Sequence, residues 1–292
     1  MGGELGWWWR ACGRRGGADG RVVYLQSHLG DPGRGTLEAD RAGGRERPYD
    51  RPPLDPSLVE PPDPFLHRAR LREARLMLVF TPEACGSRDP MAALEALLPE
   101  VDVVQVRPKP LGDAAPEATT AVTGARDAAD LCRAVLARTT TMDRPPLVLV
   151  NDRVDVAVAL GAEGLAGVHV GADDLPPVEA RELLGSEPLL GFSTHGLDEI
   201  VVAGDLPVDY LGFGPIHATA TKGYERGLGP EVAWVAAATA AVPVFPIGGI
   251  DATNVDDLAT VGRAAVGSAL LAAADPIAAA RDLRQRLEAN AY

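Results

Sequence analysis

The chain has 292 residues and a mass of 30.6 kDa, which allows one large domain or two small ones. Its composition, with 46% apolar and 24% charged residues, is close to that of an average globular protein. With 28 basic against 41 acidic residues, the net charge of −13 opposes binding to nucleic acid or to an anionic membrane, because both need a basic surface. We therefore expect neither a nucleic-acid partner nor a membrane partner.

The cysteines favour a reducing compartment. Cys12, Cys85 and Cys132 are far apart, and none belongs to a C-x-x-C pair or to a zinc-ligand spacing. The N-terminus lacks the apolar core of a secretory signal. The uncharged run at 232–250 is interrupted by two prolines and a Gly-Gly pair, so we interpret it as a helix, a turn and a buried strand. We expect a cytoplasmic protein.

The first part of the chain differs in character from the rest. Residues 1–70 are rich in glycine, proline and arginine and have no sustained apolar period, so they cannot bury enough surface to offset the entropy of ordering. We predict a disordered N-terminal extension over 1–70, with no function of its own, and a catalytic domain over 71–292. A helix over 67–75 would lead into that domain.

Eight short apolar runs recur through the second part of the chain. They are nearly continuous and rich in valine and leucine, which is typical of parallel strands buried on both faces. The runs lie at 76–80, 103–107, 147–151, 167–170, 189–193, 210–214, 244–248 and 264–268.

Helical signals separate most of these runs. Pro176 and Pro177 begin one helix and Gly185 ends it, while segments 128–138 and 196–204 have helical apolar spacing. Eight strands that alternate with helices predict an α/β fold, a (β/α)8 TIM barrel. A doubly wound open sheet is the alternative, although it would fit fewer strands and no G-x-G-x-x-G follows the first strand.

Polar side chains cluster where the predicted strands end. The active site of a parallel barrel is built at the carboxyl ends of its strands and in the loops that follow them. After the second strand, alternation places Gln105, Arg107 and Lys109 on one side, toward the mouth of the barrel. The polar residues after the third to sixth strands are Asn151, Asp152, Asp173, Asp174, Ser193, Thr194, His195, Thr219, Thr221 and Lys222.

Lysine is rare in this chain. Lys109 and Lys222 are the only lysines among 28 basic residues, and both follow predicted strands in loops at the same end of the barrel. A compact ammonium group binds phosphate as a point charge, where the guanidinium fork of arginine is larger. We interpret the two lysines as phosphate ligands rather than as a chance placement.

Asp152 and Asp174 are candidate Mg²⁺ ligands. Each provides hard oxygen donors at neighbouring strand ends, and Mg²⁺ commonly takes one or two protein carboxylates together with substrate phosphates and water. Both also precede helical segments, so each could instead be a helix N-cap. With Arg107 and the lysines at the same end, a metal-bridged polyphosphate is the interpretation that we favour. We expect Asp173 to be a solvated neighbour.

The last two strands lead into glycine-containing pairs. Gly248 and Gly249 follow the seventh strand, and Gly267 and Ser268 follow the eighth. Glycines let backbone N–H groups approach an anion, and these two loops form the usual phosphate site of a barrel. The mouth is therefore predicted to have two anion sites, one assisted by metal and one made of backbone.

The histidines are less informative. His169 lies inside the fourth strand and is interpreted as a core residue, and His217 as an exposed loop residue. His195 follows the fifth strand, where it could act as an acid or base or cap the next helix. No G-x-S-x-G hydrolase motif is present.

Seven motifs, in order along the chain, resemble those of the thiamine-phosphate synthase family within the TenI-like superfamily. They are Q-V-R-P-K, V-N-D-R-V-D, V-H-V-G-A-D-D-L, G-F-S-T-H, G-F-G-P-I-H-A-T-A-T-K, I-G-G-I and G-S-A-L. The resemblance spans residues 76–276 and implies a TIM-barrel transferase. Such an enzyme joins hydroxymethylpyrimidine diphosphate to hydroxyethylthiazole phosphate, and gives thiamine phosphate and pyrophosphate with Mg²⁺.

The resemblance also implies roles for individual residues. The metal ligands would be Asp152 and Asp174. The residues that would hold the pyrimidine diphosphate are Gln105, Arg107, Lys109, Asn151, Ser193 and Lys222. Of these, the catalytic ones would be Arg107, Lys109, Ser193 and Lys222. The residues around the thiazole phosphate would be Thr219, Thr221, Gly249, Gly267 and Ser268.

Two other functions stay open. A thiazole tautomerase of the same superfamily would use His195 as a base on a single monophosphate and would have no evident use for a metal and two lysines. A non-catalytic regulatory barrel would bind a thiamine-pathway phosphate and act through a partner. A homo-oligomer is also left open.

Overall fold

Eight parallel strands form the centre of the fold. The computed structural model describes residues 64–108, 124–218 and 227–289. The strands of this part of the chain are β1 (Leu76–Phe80), β2 (Val103–Val106), β3 (Leu147–Asn151), β4 (Gly167–Val170), β5 (Leu189–Thr194), β6 (Tyr210–Phe213), β7 (Val244–Pro246) and β8 (Ala264–Val266). Each coincides with one of the apolar runs, so all eight predicted strands are confirmed.

The sheet closes on itself. Its strands pair in the order β7-β6-β5-β4-β3-β2-β1-β8, all in parallel, with Leu76 opposite Ala264 where the first strand meets the last. A further parallel bridge joins Ile247 to Ala265 and brings the β7 edge against β8. The fold is therefore the predicted TIM barrel, and the open sheet considered as an alternative is wrong.

Helices alternate with the strands, as predicted. Those of the described residues are α1 (Pro64–Glu73), α2 (Pro90–Leu97), α3 (Ala125–Thr139), α4 (Val154–Leu160), α5 (Pro177–Leu184), α6 (Leu197–Ala203), α7 (Pro230–Thr239), α8 (Ser268–Leu271) and α9 (Pro276–Glu288). Proline at the first helical position and an aspartate before it begin two of them. The carboxylates of Asp89 and Asp275 accept hydrogen bonds from backbone N–H groups in the first turns of α2 and α9.

Alternation along each strand divides the buried residues between two cores. The outer core lies between strands and helices and includes Leu76, Leu78 and Phe80 of β1. The inner core fills the barrel and combines Leu71 of α1 and the following Ala74 with inward-facing residues of the strands or next to them. Its members are Leu71, Ala74, Met77, Val79, Val103, Leu147, Leu149, Ala166, Leu189, Tyr210, Phe245 and Ala265.

Helix α1 covers the end of the barrel where the strands begin. Its Leu71 is only 1% exposed and belongs to the inner core. From the same helix, Arg68 donates to the carboxylate of Asp209 over 2.7 Å. Asp209 also accepts from Arg181 and from the backbone N–H of Leu190, so one nearly buried carboxylate joins α1, α5 and β5. The boundary predicted after residue 70 falls within this helix, whose presence the sequence predicted.

The structure does not test the predicted N-terminal extension. Residues 1–63 lie outside the described part of the chain, so disorder there stays a prediction.

Within the described ranges, no helix is long and apolar enough to cross a bilayer. The segment at 232–250 forms most of α7, then a turn and β7, as interpreted from its prolines and glycines.

The two leucines of α1 offer a matched test of its packing. Leu71→Ala should lower the free energy of unfolding by about 2–4 kcal/mol, because it removes a buried side chain from the inner core. Leu66→Ala should change it by less than about 0.5 kcal/mol, because Leu66 is 51% exposed. Urea denaturation of the full chain measures both. Equal effects would contradict the packing of α1 against the barrel.

Candidate active site

A cavity of about 790 Å³ opens at the carboxyl ends of the strands. Its lower wall is the apolar interior of the barrel, including Met77, Val79 and Phe245. Its upper wall is polar and comes from the ends of β2, β3 and β5 and from the residues that follow β1, β6, β7 and β8. The cavity can therefore hold an apolar or aromatic ring in its depth and charged groups at its mouth.

The closure of the barrel brings together most of the predicted site residues that the structure describes. Those that line the cavity are Gln105, Arg107, Asn151, Ser193, Gly249, Gly267 and Ser268. They come from five different strand ends, which explains why positions up to 163 residues apart share one site. Four other predicted residues, Lys109, Thr219, Thr221 and Lys222, lie outside the described residues.

Arg107 is a cation with no acidic partner in the described part of the chain. Among the described residues it takes part in no ion pair, although many other arginines of the fold do, as Arg133 does with Glu163. Its backbone N–H donates to the carbonyl of Phe80 over 2.8 Å, which fixes the start of the loop after β2. A half-buried guanidinium that lines a cavity and forms no ion pair with the described carboxylates is suited to an anionic ligand.

Asp152 and Asp174 follow the neighbouring strands β3 and β4 but do not line the cavity. Neither is a helix N-cap, since Arg153 caps α4 and Pro176 caps α5. Asp152 has a positive φ of 63°, a strained conformation for a residue other than glycine. One oxygen of Asp174 accepts from the backbone N–H of Gly171 over 2.7 Å and so closes a turn. Asp173 is exposed, as expected.

The donors at these two positions fit Mg²⁺ only with help from a ligand. In the described part of the chain, no three acidic, histidine or cysteine side chains are grouped to hold a metal ion. Two carboxylates supply fewer oxygens than the six that Mg²⁺ requires, and phosphate oxygens and water commonly supply the rest. The pair is therefore compatible with an ion that arrives with a phosphorylated substrate.

A hydrogen-bonded chain crosses the barrel interior beneath the mouth. His169 Nδ1 lies 3.0 Å from Tyr210 Oη, and His169 Nε2 lies 2.9 Å from Ser193 Oγ. Gln105 is buried near Tyr210, and its Nε2 lies 3.9 Å from Met77 Sδ. His169 is buried, as its interpretation as a core residue predicts, but it also lines the cavity and contacts a predicted site residue.

The contact between His169 and Tyr210 depends on a glycine at position 191. Gly191 lies between His169 and Tyr210 in the register of β4, β5 and β6. A Cβ atom at Gly191 would lie 2.1 Å from Tyr210 Cζ and 2.5 Å from His169 Nδ1. Only glycine therefore lets the tyrosine reach across β5 to the histidine.

Sequence reasoning missed Tyr210, although a signal for it was present. Tyr210 is two residues before Gly212 on β6, and alternation places both on the inner face of the barrel. Applied to β4 in the same way, alternation places His169 beside Asn151 and Gly191, which are its partners in the register. Thr81, Glu83 and Asp251 also line the cavity and were likewise missed.

His195 lines the cavity from the end of β5. Its Nδ1 lies 2.5 Å from the carbonyl oxygen of Gly214, so Nδ1 carries the proton and donates to that carbonyl. The backbone N–H of His195 donates to the carboxylate of Glu199, and Gly196 is the N-cap of α6. The histidine is therefore not the helix cap, and its Nε2 is left as an acceptor.

The glycine loops after β7 and β8 form the far side of the cavity. Gly248 and Gly249 have positive φ angles of 102° and 64°. A Cβ atom at Gly249 would lie 2.5 Å from the carbonyl oxygen of Ala218 and 2.9 Å from Cβ of His217. His217 is half-buried rather than exposed, contrary to expectation, because this loop packs against it. The glycines leave backbone accessible along this wall, beside residues such as Asp251 and Ser268.

Comparison with known proteins identifies the family of the barrel. The model of a family described as "Thiamine monophosphate synthase" matches residues 76–270, which is more than half of the chain. The chain belongs to this family. The matched range begins with β1 and ends within α8, so it contains every strand of the barrel.

Individual relatives have the corresponding names. A thiamine-phosphate synthase of Synechococcus sp. strain CC9605 is 46% identical over 144 residues, 49% of this chain and 40% of that protein. One of Prochlorococcus marinus strain MIT 9313 is 37% identical over 271 residues, 91% of this chain and 70% of that protein. The solved structure of thiamine phosphate pyrophosphorylase from Pyrococcus furiosus superposes with a TM-score of 0.60 at 26% identity, over 76% of this chain and 98% of its own.

The chain matches only part of some curated relatives, and one alignment covers more of this chain than the family range does. The chain spans less than two thirds of the first two curated relatives, 40% and 58% of their length. The Prochlorococcus alignment covers more of this chain than the family range and everything after it, so it extends upstream of residue 76. The N-terminal segment is thus similar to part of a longer relative, which its composition did not indicate.

Gly249 and Gly164 offer a paired test of the glycine wall. Both have a positive φ, of 64° and 100°, but a Cβ atom at Gly164 would meet only Leu136 Cδ2, at 4.0 Å. Alanine at a left-handed position costs about 1 kcal/mol. Gly249→Ala should lower the free energy of unfolding by at least about 1 kcal/mol more than Gly164→Ala, because it also forces the packed loop apart. Denaturant titration of both variants measures the difference, and equal values would contradict this packing.

Proposed function

We propose that this protein is a thiamine-phosphate synthase that joins hydroxymethylpyrimidine diphosphate to hydroxyethylthiazole phosphate. The observation that carries the proposal is Arg107, which forms no ion pair with the described residues and lines a cavity with an apolar depth and a glycine-containing far wall. A diphosphate attached to an aromatic ring matches that combination of charge and apolar surface. Family membership and the names of the relatives support the same reaction.

The two substrates would enter opposite sides of one cavity. The pyrimidine ring would lie in the barrel interior near Gln105, Asn151 and Ser193, with its diphosphate beside Arg107 at the mouth. We assign Lys109 and Lys222 to the same diphosphate from their rarity and their motifs. The thiazole phosphate would bind the backbone at Gly249, Gly267 and Ser268, together with Thr219 and Thr221.

Asp152 and Asp174 would hold Mg²⁺ together with oxygens of the diphosphate. The strained backbone of Asp152 supports this role, because such conformations concentrate at functional sites. When bound, the ion would supply positive charge that neutralises the departing pyrophosphate.

The reaction needs charge stabilisation more than it needs a protein nucleophile. The bond between the pyrimidine methylene carbon and the diphosphate oxygen breaks, and its electron pair leaves with pyrophosphate. The lone pair of the thiazole nitrogen then forms the new bond to the methylene carbon. The positive charge left on that carbon thereby moves to the thiazolium ring of thiamine phosphate. The guanidinium of Arg107 and the ammonium groups of Lys109 and Lys222 would stabilise the leaving charge. Holding both substrates in line would supply much of the remaining rate.

The cysteines support a cytoplasmic location, which we include in the proposal. In the described part of the chain, Cys85 and Cys132 are both free and buried. Burial raises the pKa of the Cys132 thiol to about 12, so this cysteine stays protonated and unreactive. Neither cysteine needs an oxidising compartment.

The purified full chain should form thiamine phosphate and pyrophosphate in equal amounts from the two phosphorylated substrates. Excess EDTA should abolish turnover, and added Mg²⁺ should restore it, because the leaving pyrophosphate would lose its metal charge. Chromatography of both products measures the outcome. Absence of thiamine phosphate would overturn the proposed function, whereas full activity in EDTA would overturn only the metal assignment.

Arg107→Ala should lower kcat/KM for the synthase reaction by on the order of 10²-fold, because it removes one charge contact to the leaving group. Lys222→Ala should have a similar effect, and Lys222→Arg should not restore the rate, since a planar fork does not replace a point charge. The matched control is Arg72→Ala, an exposed arginine of α1 at the opposite end of the barrel. A wild-type rate for Arg107→Ala would contradict the diphosphate site.

A thiazole tautomerase is the second candidate, because His195 lines the cavity with its Nε2 as an acceptor. That enzyme would lose its rate in His195→Ala and would tolerate Lys222→Ala. The synthase should show the reverse order. Assaying both variants with both sets of substrates separates the two activities.

A further inference from the structure

The hydrogen-bonded chain from Tyr210 to Ser193 has a definite direction. Burial raises the pKa of Tyr210, so its phenol stays protonated and can donate. Tyr210 is fully buried, so its hydroxyl proton needs an acceptor inside the barrel.

The next step sets the tautomer of His169. Among the described residues, the hydrogen-bond geometry gives the Tyr210 hydroxyl one partner, His169 Nδ1, at 3.0 Å. Accepting this proton requires a lone pair on Nδ1, so the ring proton of the neutral imidazole is on Nε2. Nε2 lies 2.9 Å from Ser193 Oγ and donates to it. The two hydrogen bonds thus run in one direction, from Tyr210 through His169 to Ser193.

The last link points into the cavity. Ser193 Oγ accepts from His169, and no other hydrogen bond among the described residues uses its hydroxyl. The hydroxyl proton is therefore available to an acceptor in the cavity that Ser193 lines. A serine hydroxyl ordinarily rotates to donate or accept, but this one is presented as a donor.

The surroundings identify the class of acceptor. Ser193 lies above Tyr210 and Phe245, whose rings contact each other edge to face with centroids 5.7 Å apart. This part of the cavity is aromatic and apolar, and a ring nitrogen suits it better than a charged phosphate oxygen.

We infer that His169 and Tyr210 are positioning residues that present the Ser193 hydroxyl as a hydrogen-bond donor to a ring nitrogen of the bound pyrimidine. The inference rests on the proposed function for the identity of the ligand. The fixed tautomer of His169 is a property of the free protein and does not depend on the identity of the ligand. Gly191 supports it independently, because the absent side chain leaves room for the contact between tyrosine and histidine.

The tautomer is measured on the free protein. Nitrogen NMR of the full chain, labelled with ¹⁵N-histidine and recorded near pH 8, above the usual histidine pKa of about 6.5, distinguishes a protonated from an unprotonated ring nitrogen. His169 should have an unprotonated Nδ1 and a protonated Nε2. In Tyr210→Phe, which keeps the ring packing but removes the donor, the Nδ1-protonated form should appear. The opposite tautomer in the wild type, or no change in Tyr210→Phe, would overturn the inference.

Binding tests the ligand. By titration calorimetry with Mg²⁺, Tyr210→Phe should weaken binding of the pyrimidine diphosphate roughly fivefold, as expected for one neutral hydrogen bond, and leave binding of inorganic pyrophosphate unchanged. A structural defect alone would weaken both, and equal weakening would overturn the assignment to a ring nitrogen. If the wild type fails to bind the pyrimidine diphosphate, the proposed function and the ligand are wrong, and the NMR result still decides the tautomer.

Discussion

Closure of the parallel sheet is the constraint on which the rest of the molecule depends. Once β1 pairs with β8, every second side chain of every strand must point into the barrel. At the lower levels these side chains are apolar and fill the interior. At the upper level they are Gln105, Asn151, His169 and Ser193, which no longer need to fill space. The same geometry that makes a core therefore makes a polar cavity one level above it.

The two ends of the barrel use arginine in opposite ways. At the lower end, Asp209 and Asp102 each bind an arginine and the backbone at the start of a strand, so their charges are matched. At the upper end, Arg107 has no acidic partner among the described residues. A matched charge stabilises the fold, whereas an unmatched charge in a cavity favours an anionic ligand. This contrast is the physical basis for placing a diphosphate at the mouth.

The strands could be predicted because burial on both faces leaves a continuous apolar pattern, as in L-M-L-V-F. Residues at the strand ends, such as Gln105 and Ser193, could be predicted because a barrel places its site there. The contact between His169 and Tyr210 could not, since it depends on the register of three strands and on the empty space at Gly191. Sequence alone reveals neither the register of the strands nor the space at Gly191. His169 was for that reason interpreted as a core residue alone.

A crystal structure with thiamine phosphate, pyrophosphate and Mg²⁺ tests the account most directly, because the product spans both halves of the cavity. We expect the pyrimidine ring to lie inside the barrel within hydrogen-bond distance of Ser193 Oγ. Pyrophosphate should lie beside Arg107, and the thiazole phosphate should contact the backbone of Gly249 and Gly267. Product bound in the reverse orientation, or at another surface of the barrel, would contradict it.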